Sequence, residues 1–574
     1  MKDLKEKLAV ARGEKPADLV LKNAKVVNVL SAEIHECDVA VSGGRIVGLG
    51  RYDGREMIDM KGRYVAPSFI DGHIHVESSM LTLPQFARAV VPSGTGAVVI
   101  DPHEYANVVG LKAIDYILDT ADGLPLDVFV MMSSCVPATP LETSGATITA
   151  EDIGAYIARR RVAGIAEMMN FPGVYLGWDS ELEKLEHRDG KEVDGHSPGL
   201  SGKNLNAYIL AGIQSDHECT TLEEAREKLR LGMHILVREG TAERNLHALL
   251  PLVTPENSRN FSFATDDKHP ADLMDEGHID YHVREAIKTG IPPVIAIQMA
   301  TINTARHWRL RNLGAVAPRF WADVVVFSDL NAPRAEMVFK RGVLVAENRE
   351  LVTEVESGSI PDFLYRTMRV AEVGEQDLRV PAREGKMHVI ELVPRQIVTN
   401  DVLETPKVEN GEVVPDVERD ILKLVVVERH RATGNIGLGF VRGFGLKSGA
   451  LGSTVAHDAH NIIVVGTNDA DIKRAVERLA EIGGGQCVVR DGDVLEELPL
   501  PVAGLVSDRP LPYVRKKVDD LIEASHRIGG TLPDPFMTLS FLALSPIPAL
   551  KVTDQGLVDA VRFQIIDLFE RQPE

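Results

Sequence analysis

The amino-acid sequence predicts an α/β protein built on a (β/α)8 TIM-like barrel, with a small β domain formed from both flanks of the barrel and a C-terminal α+β domain. Between residues 65 and 315, short apolar runs alternate with segments of helical periodicity. On either side, residues 1–64 and 316–370 show the period-2 alternation that is typical of antiparallel strands. Residues 371–574 mix both patterns and form the predicted C-terminal domain.

Eight strand-like runs define the predicted barrel. They lie at 65–75, 97–101, 127–134, 164–169, 194–198, 213–218, 234–239 and 261–267. Helices are predicted between them at 108–123, 149–161, 202–211, 221–231 and 242–252, and after them at 279–288 and 294–307. Eight repeats of a strand and a helix over about 250 residues match the usual size of this barrel class.

The two flanks of the barrel resemble each other in pattern. Short strands with turns rich in glycine and asparagine run from Leu19 to Tyr64, and NLGAVAPRFWADVVVFSDLNAPRAEMVFKRGVLV (312–345) returns to the same alternation. The simplest interpretation is one β domain assembled from both segments. In the C-terminal domain, residues 469–482 predict a helix.

Composition and charge exclude several classes of protein. The 574 residues are 44% hydrophobic and 26% charged, as expected for a globular chain with a large core. The formal net charge is −21, so the average surface repels nucleic acid and anionic membranes. We therefore expect neither as a partner.

The sequence also indicates a cytoplasmic protein. Four scattered cysteines (Cys37, Cys135, Cys219 and Cys487) provide neither a disulfide framework nor a Cys-x-x-Cys zinc site. The N-terminal residues mix both charge signs and lack the apolar run of a secretion signal. The longest uncharged stretches are shorter than the roughly 18 apolar residues that a membrane span needs, and prolines interrupt them.

Histidines and carboxylates collect at the ends of predicted strands. His73 and His75 are two residues apart, so on a strand they project to the same face. Alone, such a pair could be two hydrogen-bonded structural histidines. Four more side chains of ligand type stand at the ends of later strands, however: Glu167, His196, His217 and Asp266. Because barrel enzymes carry their active sites at this end, the six side chains predict a metal centre.

Four histidines and two carboxylates are enough ligands for two divalent ions, provided that one carboxylate bridges them. Glu167 is the candidate bridge, because it lies inside the apolar run GIAEMM, where a buried charge needs a partner. A hydroxide between two cations is a nucleophile at neutral pH, since metal binding lowers the pKa of water to about 7. Asp266 is the candidate to accept and relay its proton.

Longer motifs around these residues resemble those of one enzyme family. They are PSFIDGHIHVESSM, IDPHEYANV, GIAEMMNFPGV, DGHSPGLSGKNLNAYILAGIQSDHE, FATDDKHPADLMDEGHID and the C-terminal AHDAHNIIVVG. Their order and content are similar to those of the bacterial and archaeal adenine deaminases of the metal-dependent amidohydrolase superfamily. The resemblance covers almost the whole chain. Glu167 stands where hydrolases such as dihydroorotase carry a carboxylated lysine.

The resemblance implies specific roles. One ion would be held by His73, His75, Glu167 and Asp266, and the other by Glu167, His196 and His217. Manganese or iron is implied in preference to zinc. The implied reaction is hydrolysis of the purine base adenine to hypoxanthine and ammonia by a metal-bridging hydroxide, in purine salvage, and the implied assembly is a dimer or larger homo-oligomer.

Adenine deamination also needs a group that protonates the ring nitrogen beside the attacked carbon. The candidates are His103 and Glu104 in the motif DPHE, and Glu218 beside His217, with Glu104 preferred. Structural support of the surrounding loops is the alternative role for all three. Asp71, two residues before His73, is assigned a supporting hydrogen-bonding role.

One polar cluster lies outside the barrel. His457, Asp458 and His460 could cover the active site, bind an extra ion or cap a turn at a domain interface. For the whole chain, the nearest alternative function is another binuclear amidohydrolase, such as a cyclic amide hydrolase or a different aminohydrolase. A non-catalytic barrel scaffold is disfavoured, because all six ligand-type side chains are present.

Overall fold

The flanking β domain begins the chain. The structure is a computed structural model that describes residues 2–394 and 396–570. The first elements of the flanking domain are α1 (Lys2–Ala11), β1 (Ala17–Asn28), β2 (Glu33–Ser42), β3 (Arg45–Gly50), β4 (Gly54–Asp59) and β5 (Tyr64–Pro67). Strand β1 pairs antiparallel with β2 and parallel with β4 and β5. Its alternating apolar residues, such as Leu19 and Leu21, are buried in one small core.

Eight parallel strands follow within the described chain. They are β6 (Phe69–Ile74), β7 (Thr95–Ile100), β8 (Asp127–Met132), β9 (Val162–Met168), β10 (Glu192–Gly195), β11 (Ser215–Asp216), β12 (His234–Arg238) and β13 (Phe261–Ala264). They pair in two arcs, β6 to β10 and β11 to β13. Gln214 N–H donates to the Val193 carbonyl (3.1 Å) at one junction, and Asp266 N–H donates to the His73 carbonyl (3.0 Å) at the other. The arcs therefore close, and the predicted (β/α)8 barrel is confirmed.

Helices surround the barrel, with some predicted helices shortened or divided. They are α2 (Leu83–Val90), α3 (His103–Val109), α4 (Leu111–Thr120), α5 (Ala150–Tyr156), α6 (Phe171–Leu176), α7 (Asp179–Glu186), α8 (Gly202–Leu210), α9 (Leu222–Arg230), α10 (Leu246–Leu249), α11 (Pro270–Asp275), α12 (Ile279–Lys288), α13 (Pro293–Met299) and α14 (Ile302–His307). The single helix predicted at 108–123 is wrong. Gly110, at φ +66°, separates α3 from α4, because this left-handed conformation interrupts a helix.

A second correction concerns the strand predicted at 65–75. The segment forms two strands that belong to different sheets: β5 pairs with β1 in the flanking domain, and β6 pairs with β7 in the barrel. Ser68 lies between them. The sequence pattern does not reveal this change of partner, because both strands are buried and follow each other without a turn.

The chain returns to the flanking sheet after α14. The strands β14 (Val324–Phe327), β15 (Met337–Lys340), β16 (Val343–Glu347) and β17 (Glu350–Leu351) complete it, with β14 antiparallel to β5. Buried ion pairs hold this sheet against the amino end of the barrel, where β8 begins. Lys340 Nζ lies 2.8 Å from the Asp127 carboxylate and 3.0 Å from that of Asp323.

The C-terminal region contains an eight-stranded sheet and a three-stranded meander. Its strands are β18 (Met387–Leu392), β19 (Thr399–Glu404), β20 (Val408–Glu409), β21 (Glu412–Val413), β22 (Ile421–Val427), β23 (Ile436–Arg442), β24 (Ala450–Ser453), β25 (Ile462–Gly466), β26 (Gly485–Arg490), β27 (Asp493–Pro499), β28 (Leu550–Thr553), β29 (Gly556–Asp559) and β30 (Gln564–Ile566). Its helices are α15 (Asp469–Glu481), α16 (Leu511–Arg527) and α17 (Pro535–Ser540). Among the described residues, no helix is both long and apolar enough to cross a membrane.

This region packs on the carboxyl end of the barrel. Asn461 donates to the Thr143 carbonyl (2.9 Å), and the Ser507 amide donates to the Met80 carbonyl (2.9 Å). His269, which directly precedes α11, pairs with Asp534 at 3.1 Å. The C-terminal region thereby covers the end of the barrel where the strand-end side chains collect.

Candidate metal centre

The six side chains marked as ligands by the sequence lie in one buried group at the carboxyl ends of the strands. His73 lies on β6 and Glu167 on β9. The other four lie in the loops directly after β6, β10, β11 and β13: His75, His196, His217 and Asp266. All six are buried. These side chains lie together because the barrel strands are parallel, so that every strand ends at the same face of the barrel.

Four of these residues form a first group. His73 Nε2 lies 3.2 Å from His75 Nε2 and 3.6 Å from Asp266 Oδ1. His75 Nε2 lies 3.2 Å from the same Asp266 oxygen and 3.3 Å from Glu167 Oε1. The other three ligand-type atoms of the group therefore lie within 3.3 Å of His75 Nε2.

Glu167 joins this group to a second one. Its other oxygen, Oε2, lies 2.6 Å from His196 Nδ1 and 3.3 Å from His217 Nε2. Glu167 therefore presents one oxygen to each group, which is the arrangement that a bridging carboxylate requires.

These separations fit divalent metal ions. When ligand atoms lie about 2.1 Å from an ion, neighbouring ligand atoms are roughly 3.0–3.4 Å apart. Most of the distances within the two groups fall near this range. Nitrogen and carboxylate oxygen are also the donor types that zinc, manganese and iron accept.

Hydrogen bonds from neighbouring residues orient the imidazoles. His73 Nδ1 donates to Asp194 Oδ2 at 2.8 Å, and His217 Nδ1 lies 3.4 Å from the same oxygen. His75 Nδ1 donates to the Asp101 carbonyl at 2.9 Å. Because their Nδ1 atoms are bound in this way, His73 and His75 turn Nε2 toward the centre, whereas His217 Nδ1 makes no aligned hydrogen bond to a described residue.

Asp194 is a functional residue that was not predicted from the sequence. It lies two residues before His196, in the same spacing that singled out Asp71 before His73, and this spacing could have identified it. Asp71 itself does not hold a ligand imidazole. It accepts hydrogen bonds from the His73 amide (3.2 Å) and the Thr265 hydroxyl (2.5 Å), so it fixes the backbone where β6 and β13 meet.

The electrostatics of the group favour cations. Burial alone would raise the pKa of Glu167, but His196 and His217 hold it well below its ordinary value. Burial alone would lower the pKa of His217, but Asp194 and Glu167 raise it well above the ordinary value. The carboxylates that attract protons to these imidazoles would equally attract divalent metal ions.

Arg238 is a second residue that the sequence analysis missed. It ends β12, and its guanidinium donates to Asp266 Oδ2 at 2.7 Å and also to Glu218. Although burial raises the pKa of Asp266, hydrogen bonds from His73 and His75 together with Arg238 hold it well below its ordinary value. An arginine inside the apolar strand HILVRE is the sequence signal that could have identified it.

The three candidate proton donors occupy different positions. His103, at the start of α3, lies 3.4 Å from Glu167 Oε1 and 2.9 Å from Asp101 Oδ2. Glu218 lies 3.6 Å from His196 Nδ1, beside the second group. Glu104 instead meets the C-terminal region, with its Oε1 atom 3.0 Å from His457 Nδ1.

His457, Asp458 and His460 lie in the loop between β24 and β25. All three are buried. Asp458 Oδ1 lies 3.8 Å from His103 Nε2, and His460 Nε2 lies 3.8 Å from Glu104 Oε2. The loop thus covers the part of the barrel mouth where α3 begins.

Comparisons with known proteins agree along the whole chain. A model of the amidohydrolase family matches residues 64–345, and a model of the adenine deaminase C-terminal domain matches residues 396–564. An adenine deaminase of Dehalococcoides mccartyi is 50% identical over 98% of this chain and 99% of its own length. Adenine deaminase 2 of Carboxydothermus hydrogenoformans is 49% identical over 99% of both chains.

The solved structures that are similar to this chain include a crystal structure of an adenine deaminase. It is 16% identical, covers 57% of this chain and 99% of its own, and superposes with a TM-score of 0.45. The family assignment depends on the two full-length relatives, in which nearly half of all positions are identical to this chain. The chain belongs to the adenine deaminase family of the amidohydrolases.

Proposed function

We propose that this chain hydrolyses adenine to hypoxanthine and ammonia at the buried group around Glu167. The observation that carries the proposal is the placement of Glu167, which presents one oxygen to each of two groups of ligand-type atoms. Full-length relatives named adenine deaminase supply the substrate. The reaction consumes one water and releases one ammonia, so it needs an activated water and groups that move two protons.

The residues would hold two divalent ions. His73, His75 and Asp266 with Glu167 would hold one ion, and Glu167 with His196 and His217 would hold the other. When bound, the ions would lower the pKa of a water molecule so that it can attack at neutral pH. Asp194 and the Asp101 carbonyl would keep the imidazoles in the tautomer that leaves Nε2 free.

Asp266 is proposed to accept the proton of the attacking water. The Asp266 carboxylate is held ionised by its neighbours, which is the state that a proton acceptor requires. Its Oδ2 atom is fixed by Arg238, while Oδ1 faces the imidazoles of the first group. Arg238 would therefore act as a positioning residue for Asp266.

Glu104 remains our preferred donor to the ring nitrogen. It is buried, and its Oε1 atom lies 3.0 Å from His457 Nδ1, so the pair would carry one exchangeable proton that Glu104 delivers to the ring. Glu218 is less suited to proton donation, since Arg238 binds both of its oxygens. The Nδ1 atom of His103 contacts two carboxylates, those of Asp101 and Glu167.

An ammonia-release assay tests the function. The enzyme would be loaded with Mn2+ and offered adenine, other purines and pyrimidines, and the cyclic amides hydantoin and dihydroorotate. We expect ammonia and hypoxanthine from adenine and no ring opening of the cyclic amides. Ring opening without adenine turnover would instead identify a cyclic amide hydrolase.

Metal identity and assembly are proposed with the function. We expect manganese or iron to support more activity than zinc, which activity after loading with each ion measures. We also expect a homo-oligomer, which light scattering during size-exclusion chromatography measures. Equal activity with zinc, or a monomeric active form, would contradict these two proposals separately.

A further inference from the structure

The C-terminal region places two histidines against Glu104. His457 Nδ1 lies 3.0 Å from Glu104 Oε1, and His460 Nε2 lies 3.8 Å from Glu104 Oε2. The three side chains are buried, and they come from different parts of the chain: Glu104 from α3 of the barrel, and the histidines from the loop after β24. Two roles are open to such a group of two histidines and a carboxylate. It can bind a metal ion, or the histidines can fix the position and charge of the carboxylate.

The tautomer of His460 decides between these roles. Its Nδ1 atom accepts a hydrogen bond from the Ala456 amide at 3.2 Å. A neutral imidazole that accepts at Nδ1 carries its proton on Nε2, and a protonated nitrogen does not bind metal. Burial lowers the pKa of His460 well below its ordinary value, which keeps this ring neutral. The Nε2–H group that faces Glu104 is therefore a donor, so the group does not form a third metal site.

His457 is charged where His460 is neutral. Burial alone would lower the pKa of His457, but the Glu104 carboxylate raises it to about 9. Burial would likewise raise the pKa of Glu104, yet His457 holds it below its ordinary value. At neutral pH the two side chains form an ion pair that carries one proton between them.

The loop that carries His457 is fixed from several sides. The Phe541 ring stacks on the His457 ring with 4.8 Å between centroids and 13° between planes. The His457 amide donates to the Ser540 carbonyl at 3.1 Å. The buried Arg429 side chain donates to the His460 carbonyl, and to the Ala503 carbonyl at 3.0 Å. His457 is thus held in place independently of Glu104.

We infer that His457 is a positioning residue of the active site, contributed by the C-terminal region, which holds the Glu104 carboxylate in place across the boundary with the barrel. This inference rests on the proposed role of Glu104 in adenine deamination. It assigns the C-terminal region a direct part in the active site. A C-terminal region with only a structural role would leave Glu104 to be fixed by the barrel.

Two substitutions separate charge, hydrogen bonding and packing at this position. His457→Leu removes both the charge and the N–H group, whereas His457→Asn keeps an amide N–H close to the position of Nδ1. We expect kcat to fall about 10- to 100-fold in His457→Leu and to recover partly in His457→Asn, with the bound metal unchanged in both. His388→Leu is the matched control, since it breaks a histidine–carboxylate pair with Asp401 on the β18–β19 hairpin.

A double-mutant cycle with Glu104→Gln identifies the partner. If His457 acts through the Glu104 carboxylate, His457→Leu should cost little further kcat in the Glu104→Gln background. Additive losses would overturn the inference, and so would wild-type kcat in His457→Leu. Unfolding of His457→Leu would not decide the matter, so His457→Asn is measured in the same cycle and must show the same coupling.

Hydrogen exchange provides a readout that does not depend on turnover. Amide exchange of residues 103–109 is followed by mass spectrometry in wild type, His457→Leu and Glu104→Gln. We expect faster exchange at the start of α3 in both variants and no further increase when they are combined. Unchanged exchange in His457→Leu would overturn the inference, whereas wild type that releases no ammonia from adenine would overturn the proposed function alone.

Discussion

The two ends of the barrel both contain histidines that are shielded from solvent, but their surroundings shift the pKa values of these histidines in opposite directions. At the carboxyl end, His75 and His217 face carboxylates that raise their pKa values well above the ordinary value despite burial. At the amino end, His234 at the start of β12 stacks on His307, with 4.3 Å between centroids and 10° between planes. Burial lowers the pKa of His307 to about 4 and that of His234 well below its ordinary value.

The difference shows that burial alone does not identify a functional histidine. Desolvation favours the neutral form at both ends, and only the surrounding carboxylates reverse it at the carboxyl end. A buried histidine among aromatic rings is a packing residue, and a buried histidine among carboxylates is ready to bind a cation.

The largest effect should come from Glu167→Gln at the carboxyl end. The amide keeps the shape but presents a neutral oxygen and an NH2 group to the two ligand groups, so it cannot bridge two cations. We expect metal content to fall toward one ion or none per chain. Turnover of adenine should fall by roughly three orders of magnitude or more. Metal analysis and ammonia release are the measurements.

Glu192→Gln is the matched control for this substitution. Glu192 begins β10 at the amino end, is buried and pairs with Arg309 at 2.5 Å. The control should keep its metal and its turnover. Full metal content together with normal activity in Glu167→Gln would contradict the bridging role.

The next largest effect should come from Asp266→Asn. It removes the base while Arg238 still contacts the side-chain oxygen, so part of the metal should stay bound. We expect kcat to fall roughly 10²- to 10³-fold at matched metal content. Steady-state kinetics with metal analysis of the same sample measures this, and near-wild-type kcat would argue against Asp266 as the proton acceptor.

Features with a local sequence signal could be predicted, and features that depend on distant contacts could not. Strand alternation placed His73 and His75 on one side, and the repeat of strands and helices predicted the barrel. Asp194 and Arg238 act through partners 20 to 121 residues away, so no local pattern shows their hydrogen bonds. The position of Glu104 against His457 depends on how the C-terminal region packs, which no periodicity predicts.

The predicted boundaries of two elements were wrong for a related reason. The run 65–75 is buried throughout, in both of its strands, and the change of sheet at Ser68 depends on pairing partners far along the chain. Gly110 did carry a local signal, since a glycine inside a helical pattern is a candidate break. The predicted helix at 108–123 nevertheless continued through Gly110.

At the amino end, Lys340→Met should destabilise the fold without affecting chemistry. Lys340 Nζ is buried between Asp127 and Asp323, and its loss leaves the two carboxylates with Arg341, together with Arg161 at 3.8 Å from Asp127. We expect a loss of about 3 kcal/mol in unfolding free energy, because breaking a buried ion pair strands a charge. Urea denaturation measures it, with kcat of the folded enzyme unchanged.

Lys288→Met is the control for that substitution. Lys288 forms an exposed pair with Glu285 on α12, so its loss should cost under about 1 kcal/mol. An equal cost for the two variants would show that burial of the Lys340 pair contributes nothing to stability.

The smallest effect should come from His307→Phe, and only in acid. The folded protein keeps His307 neutral down to about pH 4, whereas the unfolded chain binds a proton near pH 6.5. The unfolded state therefore gains protons as the pH falls below about 6.5, and folding stability is lost. His307 Nε2 makes no hydrogen bond within residues 2–394 and 396–570, so a phenyl ring should pack in its place at little cost. At pH 7.5 the variant should match wild type in urea denaturation, and at pH 5 it should be more stable by about 2 kcal/mol. An identical acid response in the two proteins would mean that His307 is not the neutral histidine that distinguishes the amino end from the carboxyl end.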